Sequence, residues 1–414
     1  MNECAIIFSV GGIMHKTVKL IIFYIFIQGV VHNLGHPVTP AFVRSLGISD
    51  YMFGIFFAMM SLGLAIGGPL WGILSDQTGR KKRYILIGLM MYSIGQFGFG
   101  YVGQGIWMVV FRLFSGLGVI SALTLFMSTL IELSEPKSRG KYFAYLAASS
   151  TLGASVGYAV GGFLNTNTLM IQWLNTDHFP IIFLIQAILN TLYAVFIWIT
   201  FKDPEGVMVS QEKQSVLKGL KNVTKMDPKL FVFLISLTFI TIGSTNLSKY
   251  IDVYFDDLGY TTQALGNFVM ATGIVSLAAS ILIVPFFARM KKQLFTIGLL
   301  QVLSALIVFI VFRANQFLLM VYTVYMIYVV LKAVYTPLEQ NFIAKEAKEG
   351  TYGGIMGVRQ SFVSIGMVLG PLIGGFIYEV KPLYLFDFSA LTFIIGMALL
   401  VLVYLMKKKQ SASG

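Results

Sequence analysis

Long apolar runs separated by short polar breaks dominate the chain. Twelve such runs stand at 17–42, 51–74, 84–105, 107–131, 142–164, 179–201, 229–254, 262–287, 293–312, 317–343, 352–378 and 384–406. A helix of roughly 20 apolar residues crosses a hydrocarbon layer of about 30 Å, and each run reaches that length. The pattern predicts an all-α integral membrane protein with twelve transmembrane helices. One sizeable polar segment, 202–228, falls between the sixth and seventh runs. Within it Val216, Leu220 and Val223 recur at helical spacing. It reads either as an amphipathic helix on an anionic leaflet or as a solvated linker. The expected organisation is a six-helix bundle over 1–201, a basic linker over 202–228 and a second six-helix bundle over 229–414.

Composition agrees with the pattern. Hydrophobic residues make up 57% of the 414 and charged residues 12%, whereas soluble domains carry about 25% charged residues. The placement of the 30 basic residues sets orientation, because loops rich in Lys and Arg stay in the cytoplasm. With the N-terminus inside, 23 of them fall at cytoplasmic loops and ends, and only Arg44, Arg313 and Lys381 fall outside. Both termini are therefore expected in the cytoplasm. The net charge of +12 is spread over loop ends rather than gathered in a patch, which argues against a nucleic-acid partner. The single cysteine, Cys4, excludes an intrachain disulfide and a cysteine metal cluster. Ala5–Val10 lacks a basic flank and is too short to span, so it makes a poor signal peptide. The stretch MHKTVKLIIF points to Met14 as the natural start.

The two halves share a repeat. LGASVGYAVGGF (152–163) and IGMVLGPLIGGF (365–376) align Gly153, Gly157 and Gly161 with Gly366, Gly370 and Gly374 at a constant offset of 213. Pro371 follows Gly370 in the second copy, and Lys82 and Gly88 match Lys292 and Gly298 at an offset of 210. Each pair places the same helix number in each half. Two parallel, pseudo-symmetric six-helix halves with a substrate site between them characterise one large transporter architecture. The glycines let helices approach closely in lipid, and packing alone explains each copy.

Between the second and third runs stands GILSDQTGRKKR (72–83). Gly72, Leu74, Asp76, Gly79, Arg80 and Lys81 match G-x-L-x-D-x-x-G-R-K, and on these residues the chain resembles the major facilitator superfamily. The resemblance implies the major facilitator fold over nearly the whole chain. It also implies a conformational switch in which Asp76 meets the N-terminus of the eleventh helix near Tyr352, Gly353 and Gly354, where the helix dipole favours a carboxylate. RLFSGLG (112–118) resembles the R-x-x-x-G-x-G motif of proton-driven members, in which the arginine is implicated in proton transfer. Pro37 and Pro40 of HPVTP resemble the P-x-x-P ending the first helix of drug/proton antiporters. GMVLGPLIGG looks like the antiporter signature, but it sits in the eleventh run; the fifth carries Tyr158 where that signature has proline.

An ionisable group inside a bilayer is a functional candidate by default. Arg112, Lys249, Lys332 and Arg359 are the embedded cations, Asp252 and Glu339 the embedded acids. Lys249 and Asp252, three residues apart on one helix, are expected to neutralise each other. Lys332 and Glu339 are seven apart and share a face at about 10 Å axial separation, with Pro337 between them. They can line one cavity without bridging; a lipid-facing Lys332 that snorkels is the alternative. Arg359 either faces the cavity or caps carbonyls of a neighbouring helix. His32 and His36, four apart beside Asn33, are expected as a titratable pair on the central cavity rather than as a metal site. Gln28, Gln96, Gln186 and Asn190 add neutral polar contacts.

These residues lead to a secondary transporter working by alternating access, with protons, a small-molecule substrate and the bilayer as partners. Proton-coupled efflux of amphipathic molecules is one reading. The other is a carrier of an anionic or zwitterionic metabolite or lipid, with Lys332, Arg112 and Arg359 as countercharge, in either direction. No cofactor or metal is expected, and the unit is expected to be a monomer in a bacterial cytoplasmic membrane. Enzyme readings fail on the residues. No histidine has Asp five residues later, and the only Gly-Lys pair, Gly140-Lys141, has no P-loop around it. A non-transporting receptor on the same fold stays open.

Overall fold

The structure, a computed structural model, describes residues 16–103, 105–133, 136–203, 227–288, 290, 292–346 and 352–413. Among these there is no strand. In chain order the helices are α1 (Lys16–Asn33), α2 (Thr39–Ser45), α3 (Tyr51–Thr78), α4 (Lys81–Tyr101), α5 (Gly105–Leu133) and α6 (Pro136–Thr166). Next come α7 (Thr168–Leu174), α8 (Pro180–Thr200), α9 (Pro228–Asp257), α10 (Thr262–Leu282) and α11 (Val284–Ala288). The chain ends with α12 (Gln293–Val311), α13 (Phe317–Tyr322), α14 (Val324–Glu346), α15 (Tyr352–Val380) and α16 (Pro382–Ser413). Most of the linker 202–228, the proposed start at Met14 and Cys4 lie outside the described residues.

All twelve apolar runs fall on helices, yet three are interrupted. The first breaks at 34–38, the eighth at Ile283 and the tenth at Thr323. The first break has a local cause. Pro37 has no N–H to give Asn33 four residues back, so the His36 N–H takes the Asn33 carbonyl instead (3.3 Å). Among the described residues nine helical stretches are long and apolar enough to cross a membrane. α1, α4 and α6 are not among them; each carries buried polar side chains, Gln28 and His32 in α1, Ser93 and Gln96 in α4 and Ser155 in α6.

Helix ends follow ordinary capping chemistry. Gly79 closes α3 in the left-handed region (φ 67°), its N–H on Ser75 O, which is the turn the G-R-K sequence needs. Asp227 starts α9 ahead of Pro228, and its carboxylate takes the Lys229 N–H.

The repeated glycines mark equivalent crossings. Gly153, Gly157 and Gly161 of α6 lie against the α1 segment, at Phe26, Val30 and Leu34. Gly366, Gly370 and Gly374 of α15 lie against α9, at Thr238, Ile242 and Asn246. The next glycine in each copy faces the other half of the chain: Gly162 meets Thr262 and Gln263 of α10, and Gly375 meets Tyr51 and Gly54 of α3. α3 packs along α15 and α6 along α10. One buried apolar cluster lies wholly within 18–201, around Tyr24, Phe126 and Phe201. The largest joins Phe42, Phe53, Phe56, Phe57 and Phe99 to the core of the second half.

Candidate functional site

One end of the molecule is sealed between the two halves. Arg44, just after the α1–α2 break, reaches α9, with Nη1 on Asp256 (2.5 Å) and Nη2 on Asp257, and lies 3.4 Å from Asp50. The Tyr378 hydroxyl donates to Asp257, and the Tyr250 hydroxyl donates to the Pro371 carbonyl (3.0 Å). Tyr51 stacks on Phe376 at 5.8 Å. No sequence pattern links Arg44 to residues 212 positions away. Toward the opposite end of α3, no atom of the described residues stands within 4 Å of where a Gly72 side chain would begin.

Within the second half lies a cavity of about 290 Å³ walled by α9, α12, α14, α15 and α16. Four of the embedded charges meet there: Lys249, Lys332, Glu339 and Arg359. Arg359 spans from α15 to α14 and donates Nε to both oxygens of Glu339 (3.0 and 3.1 Å), with Nη2 on Oε1 as well. Glu339 is fully buried and its charge is answered in place. Carbonyl capping by Arg359 is thereby replaced by a carboxylate one helix over, which intrahelical spacing cannot reveal. Lys332 projects into the cavity, so the lipid-facing alternative falls away. Serine, threonine and tyrosine hydroxyls, including Ser244, Ser248, Thr336 and Tyr328, complete the polar wall.

The structure separates the other candidates from this cavity. Lys249 and Asp252 do not pair. Asp252 is buried and accepts the Tyr158 hydroxyl of α6 at 2.8 Å, while Lys249 Nζ lies 5.6 Å from the Phe57 ring centre. The reason is tertiary: α6 brings a donor to Asp252 from the other half, and α3 offers a π face to Lys249. Tyr158 therefore fills the signature's proline position with a hydrogen bond across the halves.

His32 and His36 are not a pair on one face either, because the turn at 34–38 parts their directions. His32 is buried in the first half, Nε2 at 2.7 Å from Asn190 Oδ1 and its ring 4.0 Å from that of Tyr92. His36 stacks on Tyr158 at 5.5 Å and 10°. Asn33 turns back on its own helix, donating to Gly29 O at 2.8 Å. Gln186 donates to the Val31 and His32 carbonyls (2.8 and 2.9 Å), which the break strips of helical donors. These amides brace a broken helix rather than line a cavity. Arg112 is buried with its guanidinium 3.7 Å above the Phe99 ring, and Nη2 reaches Thr39 at 3.4 Å. It is not among the residues that line this cavity.

Of the loop motif, Gly72, Gly79, Arg80 and Lys81 are placed at the end of α3 and the start of α4, with Lys81 buried and Arg80 exposed. The side chains of Asp76 and of 352–357, where the switch was expected, lie outside the described residues.

Comparison with known proteins decides the family. The sequence model of the Major Facilitator Superfamily matches residues 20–331 and 256–414. The chain belongs to the major facilitator superfamily. It is thus a multi-pass membrane protein of a family of transporters. It is 25% identical over 390 residues to Multidrug resistance protein 1 of Bacillus subtilis (strain 168), covering 93% of this chain and 95% of that one. It is 22% identical over 384 residues to Quinolone resistance protein NorA of Staphylococcus aureus (strain COL), covering 90% and 93%. Among solved structures it superposes on the nucleoside transporter NupG with a TM-score of 0.70 at 15% identity, covering 94% and 98%. At that identity the superposition speaks for the fold alone.

Proposed function

We propose that this member of the family is a twelve-span secondary transporter that moves small amphipathic molecules out of the cell in exchange for protons. Its six-helix halves are 1–201 and 229–414, joined by 202–228, with both termini in the cytoplasm of a bacterial cell. The observation that carries this reading is the asymmetry of closure. Arg44, Tyr250, Tyr378 and the glycine crossings seal one end, whereas near the other end of α3 no atom of the described residues stands within 4 Å of where a Gly72 side chain would begin. Such an arrangement is one of two states that alternating access requires, and rocking at the α3–α15 and α6–α10 seams supplies the other. Support for efflux comes from the two curated relatives, both named for drug resistance.

Asp252 and Glu339 are the acids available to carry a proton. Asp252 is the better placed, because its partner Tyr158 belongs to the other half and leaves when the seam opens. A proton would occupy the carboxylate in the state that lacks the Tyr158 bond. The test is transport of a quinolone in proteoliposomes under an imposed pH gradient. Gradient-driven movement that collapses with a protonophore supports the reading; movement indifferent to the gradient for the wild type refutes proton coupling.

A further inference from the structure

The cavity holds more positive charge than its own residues answer. Three cations line it, Lys249, Lys332 and Arg359, against one carboxylate, Glu339. Arg359 is committed to Glu339 through three contacts. Neither Lys249 nor Lys332 has a carboxylate within ion-pair distance among the described residues; the nearest acid on α9, Asp252, is held by Tyr158. Both lysines line the wall of the same cavity. Two like charges on one cavity wall, Lys332 exposed and Lys249 part-buried, favour the arrival of a counterion between them. A second observation points the same way. Tyr328 is among the residues lining the cavity, it is 4% exposed, and its buried hydroxyl has no hydrogen-bond partner among the described residues. A buried hydroxyl without a partner is uncommon and marks a place for an acceptor.

We propose that this cavity is an oxyanion site, in which Lys249, Lys332 and the Tyr328 hydroxyl hold the carboxylate or phosphate head of a small amphipathic anion. The rest of the wall suits the tail: Leu237, Ile240, Val363, Met367 and Phe393 give it an apolar side. A volume of about 290 Å³ matches a small solute, at the low end of the range for ligand pockets, and is too small for a two-chain lipid. An organic cation fits poorly. It would have to displace Arg359 from Glu339, leaving a buried guanidinium unpaired, and would add a third repelling charge beside the lysines. The proposal rests on the transporter reading, since it names what that transporter carries.

The test uses three ligands with the same tail, so that the apolar contribution cancels: octanoate, octyl phosphate and octyltrimethylammonium. Binding is measured by titration calorimetry on the full chain in nanodiscs. Octanoate, octyl phosphate or both are expected to bind at least tenfold more tightly than the ammonium, and which does so distinguishes a carboxylate from a phosphate cargo. Lys332→Gln is expected to erase that preference and Lys332→Arg to retain it. Retention in the Arg variant together with a normal melting temperature excludes a folding defect. Equal or tighter binding of the ammonium, or a preference untouched in both Lys332→Gln and Lys249→Gln, overturns the proposal. The parallel flux assay separates the two claims. Anion binding without gradient-driven flux would leave the oxyanion site and remove the transport reading. Gradient-driven ethidium flux without anion preference would leave the transport reading and remove the oxyanion site.

Discussion

Adding one methyl group at Gly54 should prop open the sealed end. A Cβ at that position would stand 2.2 Å from the Pro371 carbonyl oxygen, 2.8 Å from the Tyr250 hydroxyl and 3.0 Å from Gly375 Cα. A comfortable carbon–oxygen contact is about 3.3 Å, so α3 and α15 must part by about 1 Å. Two losses follow. A gap of that size forfeits about a quarter to a half of the dispersion energy of each contact along the seam. The Tyr250–Pro371 hydrogen bond, now 3.0 Å, stretches beyond useful length. The expected cost to the sealed state is about 1–3 kcal/mol, the usual range for overpacking a close contact. At about 1.4 kcal/mol per decade, the unsealed population rises by roughly 5- to 100-fold. Gly68→Ala on the same helix is the matched control, since among the described residues a Cβ there comes no closer than 3.8 Å, to Ile120 and Thr124, and both changes gain the same helix propensity.

The readout is a cysteine placed at Ser248 in the cavity wall, in a Cys4→Ser background that leaves it as the only thiol. A membrane-impermeant maleimide applied to the face bearing Arg44, in vesicles of defined orientation, labels it only when that end opens. Gly54→Ala should label about 5- to 100-fold faster than the parent, and Gly68→Ala at the parental rate. Equal rates for Gly54→Ala and Gly68→Ala would show that the glycine crossing does not control the seal.

Three further outcomes are expected. Arg359→Gln strands a fully buried carboxylate at Glu339 and should lower stability by about 3–5 kcal/mol; Glu339→Gln added to it should recover a good part, and thermal melts in nanodiscs that show no recovery would break the argument. Tyr158→Phe removes the hydroxyl donated to Asp252 at 2.8 Å and should cost the sealed state about 1–3 kcal/mol. Adding Asp252→Asn should make the two effects clearly non-additive in the same labelling assay, whereas strict additivity would mean that the bond carries no coupling. Gln186→Leu leaves the Val31 carbonyl without its side-chain donor and the His32 carbonyl with the Tyr92 hydroxyl alone, and should cost about 1–3 kcal/mol. Hydrogen exchange at the end of α1 should rise accordingly, and unchanged protection there would assign the amide no bracing role.

Legibility in the sequence differed sharply between the helices and the site. The runs and their breaks located the helices within a few residues, because apolar length is a property of contiguous sequence. The broken first helix is partly legible: Pro37 marks it in the sequence, while its effect on the direction of His32 and His36 depends on where Gln186 and Asn190 lie. The embedded charges stand out in the sequence as unusual, but spacing along single helices does not give their partners. Glu339 and Arg359 are 20 residues apart, and Tyr158 and Asp252 are 94 apart, so neither pair has a sequence signature.

By itself the sequence determined the class of molecule: helical, embedded in lipid, built on an internal repeat and carrying the loop motif of one transporter family. Those features follow from local facts, since run length sets what can cross a bilayer and glycine spacing sets which helix faces can approach. Tertiary structure alone decided which charges are answered and which are left over. Electrostatic energy depends on distance through space, and a charge buried in a helix bundle finds its partner on whichever helix the packing brings alongside. That packing placed Arg359 on Glu339 and Tyr158 on Asp252, and left Lys249 and Lys332 facing the cavity.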